Sequence, residues 1–137
     1  MSTVIMGGTA QIVGNIDVSY RQDNLIAGDM QLVTQSIILK GNQGVLQRGT
    51  ILGKDATGLY VIAKATAKDS SPTSLVVLAD THDTSLGDVS GAGAYFTGEF
   101  NASRIIMDES WTLDQLRDAA RPLTIFFKDV VNADNPT

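Results

Sequence analysis

Apolar residues along the chain fall into short runs separated by turn-forming residues. Ser36 to Lys40, Thr50 to Gly53, Leu59 to Ala63, Ser74 to Ala79, Ala94 to Thr97 and Arg104 to Met107 each read as a short strand. Gly41-Asn42-Gln43-Gly44, Asp55 to Gly58, Lys68 to Thr73 and Gly87 to Gly93 punctuate them with residues that tolerate positive φ or bond to their own backbone. Strands this short and this evenly spaced predict a compact barrel or sandwich. One helix interrupts the pattern. Thr112 and Gln115 have the spacing of a capping box, Leu113, Leu116 and Ala120 share a face, and Pro122 ends the helix. Leu123 to Lys128 follows as a last apolar strand, with one ring of Phe126-Phe127 on each face.

The first 35 residues differ in texture. Ile12, Val13, Ile16, Val18 and Tyr20 alternate only in part, among Gly, Asn, Asp and Gln. The segment has apolar residues to bury but no period that buries them within a small domain. We therefore expect an extended, flexible N-terminal arm over 1–35, a β-rich core domain over 36–137, and a polar tail from Asn132.

Composition narrows the function. With 15 acidic against 10 basic residues the net charge is -5, and no basic cluster supplies the footprint that phosphate-backbone binding needs. Cysteine is absent, which removes disulfides, thiolate catalysis and cysteine-ligated zinc. No apolar stretch approaches a membrane span. The first basic residue is Arg21, so no basic leader region opens the sequence, and the product is expected to stay where it is made.

The sole histidine, His82, lies near Asp80, Asp83 and Asp88 in a turn-rich stretch. Adjacent side chains do not form the rigid three-ligand set of a catalytic zinc site, so these residues read as satisfying turn backbone. No nucleophile elbow is present. Ser90-Gly91-Ala92-Gly93-Ala94 lacks the spacing of a phosphate loop and reads as a loop entering a strand. Asn101-Ala102-Ser103 matches a glycosylation sequon incidentally. Trp111, just before the helix cap, reads either as an exposed binding anchor or, as we favour, as packing at the edge of the core.

Two signatures are sharper: Leu46-Gln47-Arg48-Gly49-Thr50-Ile51-Leu52-Gly53, and Gly98-Glu99-Phe100-Asn101 after Ala94-Tyr95-Phe96-Thr97. With Val77-Leu78-Ala79-Asp80 between them and Tyr20 to Asp29 upstream, the order resembles the head decoration proteins of lambda-like tailed phages over roughly residues 20 to 128. Leu46, Arg48, Gly49, Gly53, Gly98, Glu99, Phe100 and Asn101 carry the resemblance as structural positions. Arg121-Pro122-Leu123-Thr124-Ile125 stands where the family often has a Gly-Ile step, and Ser70-Ser71-Pro72 replaces a more usual Gly-Ser loop.

The resemblance implies a mainly β, β-clip-like barrel of short strands with one short helix near the C-terminus. It further implies a homotrimer on the outer surface of the expanded phage head at threefold positions, made in the host bacterial cytoplasm and stabilising the shell against internal DNA pressure. Its partners would be the major capsid protein and itself, with no nucleic acid, membrane or cofactor bound directly and no catalytic or metal site. Ile12, Val13, Ile16, Val18, Tyr20, Leu25 and Ile26 are then the expected capsid-binding residues. Ile125, Phe126 and Phe127 are the expected trimer contacts. Two rival readings stand beside this one: a trimeric β-clip nucleotide-binding enzyme of pyrophosphatase type, and a small-ligand-binding β barrel.

Overall fold

Leu75-Val76-Val77-Leu78 is apolar at every position, and the structure buries it at every position. That run is a strand covered on both faces, and it sits at the centre of the architecture. The structure, a computed structural model, describes residues 24–69 and 71–129. Its strands are β1 (Val33–Leu39), β2 (Val45–Leu46), β3 (Ile51–Lys54), β4 (Tyr60–Ile62), β5 (Leu75–Leu78), β6 (His82–Asp83), β7 (Val89–Asn101) and β8 (Ile125–Lys128). Helix α1 (Leu113–Ala120) and a 3-10 turn at Arg121–Leu123 precede β8.

The main sheet runs β1-β4-β3-β5-β7, and β7 pairs back onto β1, closing a small barrel. β7 is long enough to serve two purposes. Its first part pairs antiparallel with β1 and β5, while Gly98–Asn101 pairs in parallel with β8. β2 and β6 form a separate two-stranded ladder. The seam between β1 and β4 has one residue pair, Leu39 with Tyr60, and a side chain completes it. Gln43 donates to the carbonyls of Lys40 and Tyr60 and accepts from the Ile62 amide at 2.8 Å, taking the place of a strand edge.

Alternation along β3 and β5 divides the core in two. Leu52, Val76 and Leu78 join Ile37, Leu39, Leu46, Tyr60, Ala92 and Ala94 in one buried cluster. Ile51, Leu75 and Val77 face the other way and pack with Leu25, Phe100, Trp111, Leu116, Ile125 and Phe127. The helix and β8 thus form a second layer over the barrel wall. Trp111 is buried, and its indole N–H donates to the Ala63 carbonyl at 3.0 Å, as its place at the core edge predicts. The capping box is present in both directions at 3.2 Å.

The mainly β barrel of short strands and the short α-helix near the C-terminus, the single one among the described residues, agree with the sequence reading. Several boundaries do not. Gly87 to Gly93, expected as a loop, mostly belongs to β7, which begins at Val89. Its small residues are there because the strand passes closely between partners: Ala92 and Ala94 are fully buried, and the Gly93 carbonyl accepts from Ala79 N. Arg104 to Met107, expected as a strand, makes only a bridge between Ile106 and Thr50. β1 begins at Val33, so the boundary expected near residue 35 falls inside a strand. Ahead of it, Leu25 is 2% exposed and Ile26 bridges Phe100. Leu25 and Ile26 are thus packed with the barrel and its second layer.

Candidate functional site

The first signature builds a junction. Gly49 N donates to the Leu78 carbonyl and Gly49 O accepts from Ile106 N, both at 2.9 Å, so one residue ties β5 to the segment before the helix. Its φ of +96° suits glycine, and a Cβ there would lie 2.9 Å from the Arg104 carbonyl oxygen. Gly53 has no room for a side chain at all, because the Ser71 backbone occupies that space. Leu46 is buried beside them.

Arg48 is committed to the fold. Its guanidinium donates to the Ala79 carbonyl at 2.8 Å and to the Tyr95 hydroxyl at 2.9 Å, and lies 5.6 Å from the Tyr95 ring centroid. A phosphate-contacting role would require this group to leave two acceptors and an aromatic face.

The second signature is the middle of a small three-stranded arrangement. On one side of Gly98–Asn101 runs β8; on the other, Asn101 N donates to Leu25 O and Ala27 N donates to Glu99 O. Phe100 is fully buried, with Tyr95 at 5.5 Å and Phe127 at 6.5 Å between ring centroids. Asn101 is buried too, and its side-chain oxygen accepts from the backbone and hydroxyl of Ser103. The sequon asparagine is thus a turn residue.

Glu99 faces outward and gathers two segments. One carboxylate oxygen accepts from Met30 N at 3.0 Å and the other from Lys128 Nζ at 2.9 Å. The Lys128 ammonium, then the Met30 amide, hold its pKa below the ordinary glutamate value.

The expected contact residues separate in the structure. Ile12, Val13, Ile16, Val18 and Tyr20 lie outside the described residues. Leu25, expected to face the capsid, is a core residue of this domain, while Ile26 is 38% exposed. Ile125 and Phe127, expected between subunits, are buried under α1 by their own chain, and only Phe126 of that strand is half-exposed. The alternation of a strand explains this: β8 already uses its inner face for the second core cluster.

Apolar surface appears elsewhere. Val45 is 59% exposed and Ile106 42%, and both line a groove of about 460 Å³ with Ile62 and Met107, rimmed by Asp108 and Glu109. Leu86 is fully exposed at the turn between β6 and β7. Sequence reasoning does not single these out as surface: Ile106 falls within an expected strand, Val45 stands beside the Leu46 signature, and Leu86 is a lone apolar residue among turn formers. His82 lies in β6 opposite Leu46, with its Nε2 buried and without a hydrogen-bond partner among the described residues. No group of acidic and histidine side chains among the described residues is arranged to hold a metal ion. No helix among them is long and apolar enough to cross a membrane.

No curated protein matches the chain. The family model for the bacteriophage lambda head decoration protein D matches residues 18–125, which span both signatures and all of the barrel. With most of its length in that match, the chain belongs to the bacteriophage lambda head decoration protein D family and is a structural component of a phage head.

Proposed function

We propose that the protein cements an expanded phage head, binding as a trimer to the outside of the shell at threefold positions and resisting internal DNA pressure. Family membership is the observation that carries this reading. The mechanism is linkage. A ligand that binds only the expanded lattice stabilises it by about 2.7 kcal/mol per site at a hundredfold excess over Kd. Repeated over many sites, that modest term opposes rupture.

The segment preceding Asn24 supplies the main capsid contact in this reading. The partial alternation of Ile12, Val13, Ile16, Val18 and Tyr20 among polar residues and glycines supports assigning them to a partner's edge. Added to an exposed capsid edge, such a segment gains main-chain hydrogen bonds, and alternate side chains set its register. Three arms on one trimer raise avidity through effective concentration. Half-exposed Phe126, the Val45–Ile106 groove and exposed Leu86 are among the surfaces that the described residues offer for contacts between copies. A stable contact buries roughly 1,200–2,000 Å² in total.

The test compares expanded, emptied capsids with and without saturating protein. The reading expects a higher rupture temperature for decorated shells and a trimer by light scattering of the released protein. Unchanged rupture temperature at saturation contradicts it.

A further inference from the structure

We propose that the groove between Val45 and Ile106 is a second docking site for the shell, taking an extended segment in which an apolar side chain is flanked by lysine or arginine. This rests on the cementing reading above and gives one of its contacts a place and a chemistry.

Two short extended pieces make the groove. Among the described residues β2 pairs with β6 alone, and Val45 is 59% exposed at its start. Ile106 bridges Thr50, donating to Gly49 O at 2.9 Å and accepting from Ile51 N at 2.8 Å, so its own backbone groups are used. In an extended chain the next residue turns its backbone groups to the opposite side. The Met107 amide and carbonyl accordingly face away from β3 and meet no hydrogen-bond partner among the described residues. Between the two pieces lie about 460 Å³, with buried Leu46 and Thr50 at the base. Exposed apolar side chains beside an unpaired backbone edge are what strand addition uses, main-chain hydrogen bonds for affinity and alternate side chains for register.

Charge selects the occupant. The charged residues lining the groove are both acidic, Asp108 and Glu109. Asp108 is largely committed, because its carboxylate takes the Ser110 hydroxyl and amide, with Lys64 adding a smaller attraction. Glu109 is exposed and carries no hydrogen bond or ion pair among the described residues. A second copy of this chain, at net charge -5, is the poorer complement to such a rim. A basic segment with an apolar centre matches both rim and floor, and complementary charge steers encounter and rejects wrong partners. Among the exposed surfaces, this one is therefore assigned to the shell and not to contacts between copies.

The experiment uses the full-length chain and measures binding to emptied, expanded capsids by sedimentation, with light scattering of each variant in solution. Val45→Ser and Ile106→Ser are each expected to weaken binding roughly tenfold, the scale of a truncated anchor residue. Glu109→Lys is expected to weaken it severalfold at low salt. That difference should shrink toward about 1 M salt, where charges are screened within ~3 Å. Thermal unfolding checks each fold, and should Ile106→Ser loosen the Thr50 bridge, the other two variants still decide. Unchanged affinity in Val45→Ser and Glu109→Lys overturns the proposal. So does tighter binding by Glu109→Lys, which would mean an acidic partner, or a changed oligomeric state in Val45→Ser, which would give the groove to a second copy. If the unmodified chain does not bind at all, the cementing reading fails and the groove assignment with it. Binding that survives every groove change removes the groove alone.

Discussion

Arg48 donates to the Tyr95 hydroxyl at 2.9 Å across 47 residues of sequence, binding the first family signature to the strand that leads into the second. The same guanidinium nitrogen caps the Ala79 carbonyl. A basic residue that sequence alone would allow as a ligand contact is thereby a cross-brace of the barrel. Arg48→Ala should lower unfolding free energy by about 1.5–3 kcal/mol, the range for hydrogen bonds to charged groups. Arg48→Lys should recover only part, because an ammonium cannot reproduce the planar fork over the ring. Urea unfolding at constant slope measures both, and an unchanged midpoint for Arg48→Ala would refute the bracing role.

Gly53 is a second point where the first signature carries structure. A methyl group there must displace the Ser71 backbone, so Gly53→Ala should destabilise by about 1–3 kcal/mol, as overpacking does. Gly44→Ala is the useful contrast: its positive φ is strained, but no atom lies within 4 Å of the added carbon. Thermal unfolding of the two variants should rank Gly53→Ala as the more harmful. The reverse order would mean that the β3 wall yields easily.

The helix cap makes a smaller and cleaner prediction. Thr112→Ala removes the acceptor for Gln115 N and should cost about 1 kcal/mol. Thr112→Ser should be nearly neutral. Equal loss in both variants would show that packing of the Thr112 methyl, not the cap, matters there.

Acid stability follows from a repeated turn. Thr57, Ser71, Ser85 and Ser110 hydroxyls, each backed by its own amide, hold Asp55, Asp69, Asp83 and Asp108 below the ordinary aspartate value, and Lys128 does the same for Glu99. Each folded-state pKa is depressed relative to the unfolded chain. Their stabilisation is therefore complete above the ordinary carboxylate range, near pH 4, and is lost as pH falls through the lower folded values. Urea midpoints should be insensitive to these groups between about pH 6 and 8 and decline below about pH 4. A midpoint that holds at pH 3 would contradict this assignment.

Much of the fold was legible from the sequence because β-branched runs and turn residues report directly on local structure. Thr112, Gln115 and Pro122 marked the helix, and Trp111 its place at the core edge. What misled was context. Ser90 to Ala94 carries loop-like residues, yet Ala92 and Ala94 lie fully buried in β7, because close strand packing rewards small side chains. Leu25 looked available to a partner because its local sequence has no period, and only its pairing beside Phe100 and Asn101 shows that it completes the core. β8 looked two-faced, but the burial of Ile125 and Phe127 depends on α1 folding over them. The family signatures were readable as strings; that Arg48 and Glu99 are braces required the distances.

Sedimentation with purified shells tests the central claim most directly. Full-length protein is mixed with emptied, expanded capsids and, separately, with unexpanded shells of the same phage, and each pellet is assayed for bound protein. The account predicts saturable binding to the expanded shells, greatly reduced when residues 1–19 are deleted, and little binding to unexpanded ones. Absence of protein from the expanded pellet, or equal amounts on both kinds of shell, would contradict it.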